Sequence, residues 1–226
     1  MNLLRLFILL CTMSLTAQTS TTEPLVHVTG KGIVKVTPDQ VAIKVRVESE
    51  GKDAVAVKNE NDTSINAVIK FLRSEGVKDE DVQTEYINLN KNFDYNTKTY
   101  SYKANQSLTV LLKDITQYET IISGLLNSGI NRIDGVQFKS SKATSLKAEA
   151  RVKAILDAKQ RAETYATAIG QSIGKAVQIS EASASVPRPQ LRSANFAMEA
   201  SSDGGETIAP GELSIIVSIS ASFELK

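Results

Sequence analysis

Two long stretches of this chain switch between apolar and polar side chains at every residue, a pattern that specifies strands with one face on a core and one in water. In Leu25–Gly51, Val26, Val28, Val34 and Val36 share one parity, as do Val41, Ile43, Val45 and Val47 further on. The opposite parity carries His27, Thr29, Lys31 and Lys35, then Lys44, Arg46, Glu48 and Glu50. Near the C-terminus, Leu213, Ile215, Val217, Ile219, Ala221, Phe223 and Leu225 alternate with Glu212, Ser214, Ser218, Ser220, Ser222 and Glu224; Ile216 is the one exception. The first stretch reads as a β-hairpin turned at Thr37-Pro38-Asp39-Gln40, with Pro38 presetting φ. The last reads as a strand deep in a sheet. Gly30 and Gly32 fall on the inward parity, where a missing side chain lets a helix or a bulge come close.

A second hairpin spans Thr84 to Lys113. A turn at Asn96-Thr97-Lys98-Thr99 sets Tyr95 opposite Tyr100, Phe93 opposite Tyr102 and Ile87 opposite Leu108. The reverse side then reads Asn88, Asn90, Asn92 and Asp94 against Ser101, Lys103, Asn105 and Ser107, so turn and face pattern agree. Five of the chain's twelve aromatic residues lie here: Tyr86, Phe93, Tyr95, Tyr100 and Tyr102. Two readings stand side by side. Either the rings pair across the strands, or the tip overhangs the core and presents Phe93, Tyr95, Tyr100 and Tyr102 to a neighbouring subunit. Strands of this length outreach the usual ~5–6 residues.

Between the strands lie helices. Asp53 caps the first, Ile65, Val68, Ile69 and Leu72 form its buried stripe, and Gly76 ends it with Val77 packing back. Thr116 and Glu119 are spaced as a capping box for the second, whose stripe is Tyr118, Ile121, Ile122 and Leu125 before Ser128-Gly129 stops it. A strand follows through Val136 and Phe138. The longest helix, Thr144 to Ile169, aligns Leu146, Ala150, Ala154, Ala158, Ala162, Tyr165, Ala166 and Ile169. So much alanine implies close packing on a sheet or another helix. Lys175–Ala182 reads as a strand with Val177 and Ile179 inward. Residues 183–210, rich in Pro, Gly, Ser and Ala, form a long loop of the kind that is usually functional or disordered. The order is ββαββαβαββ, an α+β fold with a largely antiparallel sheet and helices on one face, expected as a single domain over residues 25–226.

The N-terminus says where such a domain works. Arg5, the apolar run Leu6–Met13 and the small-residue site Leu15-Thr16-Ala17 have the order of a secretory signal peptide over residues 1–17. The run is too short to cross a bilayer of ~30 Å, and Leu10 before Cys11 is too large for a lipidation site. Removal of the leader leaves 209 residues without any cysteine and with 25 basic against 25 acidic side chains. Thiol chemistry and thiolate zinc sites are therefore excluded. The neutral balance offers nothing to nucleic acid, and no integral membrane span remains.

Candidate chemistry is sparse. His27 is the sole histidine, too few for the usual metal site, and no nucleophile elbow accompanies it; it reads as a satisfied or solvent-facing surface residue. Gly30-Lys31-Gly32 lies inside a strand, not between strand and helix, so it is no phosphate loop. Asp79-Glu80-Asp81 lacks the spacing of a calcium loop and reads as a solvated turn. Gly170 and Gly174 straddle a helix end and form no membrane-helix motif. No catalytic, cofactor or metal residues are assigned.

Four segments in order carry a resemblance. Val26-His27-Val28-Thr29-Gly30-Lys31-Gly32-Ile33-Val34-Lys35-Val36-Thr37-Pro38-Asp39 is similar to the opening strand of the SIMPL-domain family of exported bacterial proteins, long catalogued as a domain of unknown function. Gly76 to Thr84, Tyr102-Lys103-Ala104, and Ala158 through Gly170 to Gly174 resemble its later motifs. Lys159-Gln160-Arg161 departs slightly, since an Ala-Arg pair is commoner there. The resemblance covers nearly all of the chain beyond the leader. It implies a periplasmic or outer-membrane-associated protein, in a family where some members assemble into barrel-like oligomers, others are linked to oxidative-stress tolerance, and no reaction is agreed. The expectation is a non-enzymatic envelope protein without cofactor that forms a homo-oligomer or docks on an envelope partner. The alternative is a ligand- or peptide-binding module using residues 183–210; a stress-protective enzyme is a third reading, which the residues favour least.

Overall fold

The structure, a computed structural model, describes residues 23–181 and 208–226. The leader and nearly all of the 183–210 loop lie outside the described residues. Within them the chain forms β1 (Leu25–Val36), β2 (Gln40–Gly51), α1 (Ala54–Ser74), β3 (Val82–Asp94), β4 (Thr99–Leu112), α2 (Tyr118–Asn127), β5 (Arg132–Lys139), α3 (Ala143–Ala168), β6 (Ile173–Glu181) and β7 (Leu213–Leu225). Every strand pairing is antiparallel, and the fold is α+β in the expected order.

The strands divide into two sheets, ordered β1-β7-β6 and β3-β4-β2-β5. This corrects the first hairpin: β1 and β2 do not pair. Val28 lies opposite Ala221 and Val34 opposite Ile215, whereas Val45 lies between Leu108 and Ile133. The alternation of a strand is the same whichever neighbour completes it, so periodicity alone could not separate a hairpin from a change of sheet. Pro38, lacking an N–H, breaks the ladder. Asp39 then fixes the crossing: its backbone N–H donates to the Lys139 carbonyl at 3.2 Å, and its carboxylate accepts from the Ser141 N–H at 2.7 Å and from the Ser141 hydroxyl.

Each sheet has its own core. On the four-stranded sheet, Val41, Ile43, Val45 and Val47 join Leu108, Val110 and Leu112 beneath Ile65, Val68 and Leu72 of α1 and Ile121 and Leu125 of α2. On the three-stranded sheet, Ala150, Ala154, Ala158 and Ala162 of α3 press on Val28, Val34 and the inward row of β7, its central strand. Here the expectation for Gly30 and Gly32 is met. A Cβ at Gly30 would collide with the Ala154 carbonyl oxygen, and one at Gly32 with that of Ala150. The buried row of α3 follows every fourth residue from Ala150 to Ala166. Tyr165 and Ile169, expected on that stripe, are exposed beside it.

Local signals hold with a few corrections. Asp53 caps α1 by accepting from the Ala56 N–H at 2.8 Å, and Gly76 ends it at φ 80°. The capping box at Thr116 does not form. Asp114 instead takes the Thr116 N–H and hydroxyl at 2.9 and 2.7 Å, opening a single 3₁₀ turn before α2. Val177 and Ile179 are exposed, not inward, because β6 is an edge strand and α3 lies over β1 and β7. In the second hairpin the turn falls one residue early, at Tyr95–Lys98. Phe93 therefore faces Tyr100, and Ile87 faces Gln106. Asp94 causes the shift: its carboxylate accepts the N–H groups of Asn96 and Thr97 at 2.8 and 3.3 Å, and Lys98 takes the left-handed conformation at φ 53°. Moving the turn by one moves each partner by two, so the faces survive as read.

Candidate functional site

The β3–β4 ribbon carries the aromatic residues that the sequence singles out. β2 ends at Gly51, opposite Tyr102, so among the described residues the ribbon beyond that point has no third strand beside it. Its tip is the exposed segment from Lys91 to Tyr100. Phe93 and Tyr95 meet edge to face with centroids 5.1 Å apart, and Phe93 and Tyr100 lie 4.9 Å apart, tilted. Lys91 Nζ sits 4.1 Å from the Tyr100 centroid and 5.9 Å from that of Tyr102. Phe93, Tyr95 and Tyr100 thus form one cluster, while Tyr102 stands one pair further in, half-buried, tied to it through Lys91. Such ring pairs are worth about 0.5–1.5 kcal/mol each beyond burial. They hold the tip together without hiding it from solvent. Asp94 beneath them is held below the usual carboxylate range by the N–H groups of Asn96 and Thr97, so the turn stays charged and closed.

The other face of the same sheet holds a charge network that sequence reasoning missed. Arg46 donates twice to Asp134, at 2.9 and 2.6 Å. Arg132 bridges Asp134 and Glu48 at 2.8 and 3.1 Å, and Lys103 reaches Glu48 at 3.2 Å. Burial pushes the Glu48 carboxyl up, but the Lys103 ammonium bonded to it, with the charge of Arg132, brings it below its ordinary value. The Asp134 hydrogen bond holds the Arg46 guanidinium firmly protonated. Lys44 and Thr109 likewise lower Glu85. These residues come from strands distant in the chain, and no local spacing announces them. Every member finds an opposite charge, which suits a brace across the sheet.

The remaining candidates are accounted for by packing or pairing. His27 is exposed, with Nδ1 2.7 Å from Ser222 Oγ on the neighbouring strand. Asp79 takes Arg73 in two bonds of 2.8 and 3.1 Å, and Lys113 spans Glu80 and Asp81 at 3.2 and 2.7 Å. Among the described residues no group of three or more His, Cys, Asp or Glu side chains converges as a metal site. A cleft of about 360 Å³ opens at the seam of the two sheets, between Gln40, Phe138, Ser140 and Ala143 on one side and Leu213 and Ile215 on the other. Its walls also come from distant segments, which is why the sequence pattern does not reveal it.

The family described as SIMPL, protein of unknown function (DUF541), matches residues 26–223. The chain belongs to the SIMPL family. Among its relatives is the 26 kDa periplasmic immunogenic protein of Brucella melitensis, 30% identical over 217 residues, which cover 91% of this chain and 87% of that protein. The Brucella abortus protein of the same name is 29% identical with the same coverage. The uncharacterized protein YggE of Escherichia coli K12 is 23% identical over 154 residues, covering 67% of this chain and 63% of its own length. Relatives of this SIMPL chain are thus named for the periplasm or left uncharacterized. No helix among the described residues is long and apolar enough to cross a membrane.

Proposed function

We propose that this SIMPL protein is a non-enzymatic periplasmic protein of the cell envelope that acts by self-association or by docking on an envelope partner. The contact surface is the ribbon tip, with Phe93, Tyr95, Tyr100 and Tyr102. One observation carries the reading: three aromatic rings packed on one another at the exposed end of a ribbon, outside both cores. Rings in such a position bury area only when a second surface arrives, and aromatic anchors dominate protein contacts. The leader over residues 1–17 directs export, and the names of the Brucella relatives support the compartment.

Light scattering on protein purified from the periplasm tests this. The expected result is an assembly larger than one chain, or a retained envelope partner. The triple change Phe93→Ser, Tyr95→Ser, Tyr100→Ser is expected to release a folded monomer with an unchanged circular dichroism spectrum. A monomer without any partner at tens of micromolar before substitution would overturn the proposal. The mass of the exported chain is expected to begin at Gln18.

A further inference from the structure

Among the described residues the two sheets leave four outer strands, of which one has its free edge engaged and two are irregular. On β1, the Lys31 N–H already donates to Asp157 of α3 at 2.8 Å. The short strand β5 has a ladder broken opposite Lys44 and Val45, and β6 slips register twice. β3 differs. After one irregularity at Glu85 it keeps a single register with β4 for nine residues, Tyr86 to Asp94. Along this run Ile87, Leu89 and Phe93 remain 68%, 43% and 39% exposed. Proteins normally blunt such an edge with bulges, charges or a covering element.

We infer that β3 pairs edge to edge, antiparallel, with β3 of a second copy about a two-fold axis at Asn90. The inference rests on the reading of the ribbon as a contact surface and names its partner. The straight run is self-complementary about that point. Ile87 falls opposite Phe93 of the second copy, and Leu89 opposite the apolar stem of Lys91. On the other face Tyr86 meets Asp94, Asn88 meets Asn92, and Asn90 meets Asn90. An interface of this kind uses the same patch twice, as closed two-fold symmetry requires. Neighbouring registers fit worse. Centring on Lys91 sets two ammonium groups directly opposite, which is destabilising. Centring on Leu89 sends Phe93 to the irregular position Glu85. With the axis at Asn90 the two four-stranded sheets become one of eight strands, and each aromatic tip lies over the start of the other's straight run.

Single cysteines test the register, because the chain's one cysteine, Cys11, lies in the leader. Directly opposed residues in an antiparallel pair have Cα atoms ~4.5–5.5 Å apart, within disulfide reach. Asn90→Cys is therefore expected to link two copies in high yield under mild oxidation, the bond being mapped by mass spectrometry. Asn88→Cys, on the same face, sits four residues from its own mate, ~13 Å away, and is expected to link at least tenfold less. Leu89→Lys opposes Lys91 on both sides of the axis and is expected to weaken association roughly tenfold. An assembled protein in which neither cysteine links, or both link equally, overturns the inference and leaves the assembly reading standing. A protein that is monomeric throughout overturns the inference, and one that also retains no envelope partner overturns both.

Discussion

The two cores reach the same end by opposite means. Beneath α1 and α2, the four-stranded sheet is filled by branched side chains that interdigitate, with Ile43, Val45, Leu72, Leu108 and Val110 completely buried. Beneath α3, the three-stranded sheet is approached by backbone: alanines line the helix and Gly30 and Gly32 clear the strand. The first arrangement depends on volume being present, the second on its being absent. A filled core answers to truncation, because removed atoms leave a cavity. A core made by close approach answers to enlargement, because side chains can rotate away and a helix backbone cannot.

The largest expected effect is therefore at Gly32. Gly32→Val puts three carbons into the path of the Ala150 carbonyl and is expected to cost more than about 3 kcal/mol, read as a collapse of the urea midpoint or loss of cooperative unfolding. Trimming Ala150 to Gly should not rescue it, since the obstacle is main chain. If Gly32→Val unfolds like the unsubstituted protein, α3 is not docked on this sheet. Next comes Leu108→Ala in the filled core, expected to cost about 2–5 kcal/mol by the same denaturation measurement. The equivalence of the two cores would follow from a cost below 1 kcal/mol there, and the contrast would be lost.

The smallest effect lies at the joint between the halves. Asp39 is exposed, and the Ser141 hydroxyl, with the Ser141 N–H, holds its carboxyl below the usual carboxylate range. A group lowered on folding contributes stability that is present above its unfolded value and lost as the pH falls through its folded value, because the unfolded chain takes up the proton first. Asp39→Asn is expected to cost about 1 kcal/mol at neutral pH. The gap from the unsubstituted protein should narrow as pH falls through the low carboxylate range. Urea titrations at pH 7 and pH 3 would show it, and a gap that widens in acid would mean that Asp39 does not clasp Ser141.

How much of this was legible in the sequence follows from how local each signal is. The Asp53 cap, the Gly76 stop and the strand faces other than that of β6 depend on residues a few positions apart, and the sequence alone places them. Gly30, Gly32 and the alanine row announce a close approach by themselves, because empty positions on an inward parity have few other uses. The change of sheet at Pro38 was not legible, since β1 looks the same whether β2 or β7 lies beside it. The turn starts at Tyr95, one residue before the place the sequence pattern indicates, because the Asp94 carboxylate, not the Asn-Thr pair after it, sets the loop. At the site, the aromatic residues were visible as a cluster in sequence. The network of Arg46, Asp134, Arg132, Glu48 and Lys103 was not, because three separate strands supply it.

The pairing of β1 with β7 bears on how the molecule matures. The four-stranded half draws on one contiguous run, from Gln40 to Lys139, and can assemble as soon as that run is available. β1 emerges before any of it, yet among the described residues it pairs with β7, on the far side of that run. Contacts so distant form slowly, since a long loop must close before they are rewarded. A chain made amino end first must therefore keep β1 unmatched until β7 has been made, and removal of β7 would strand one half while sparing the other.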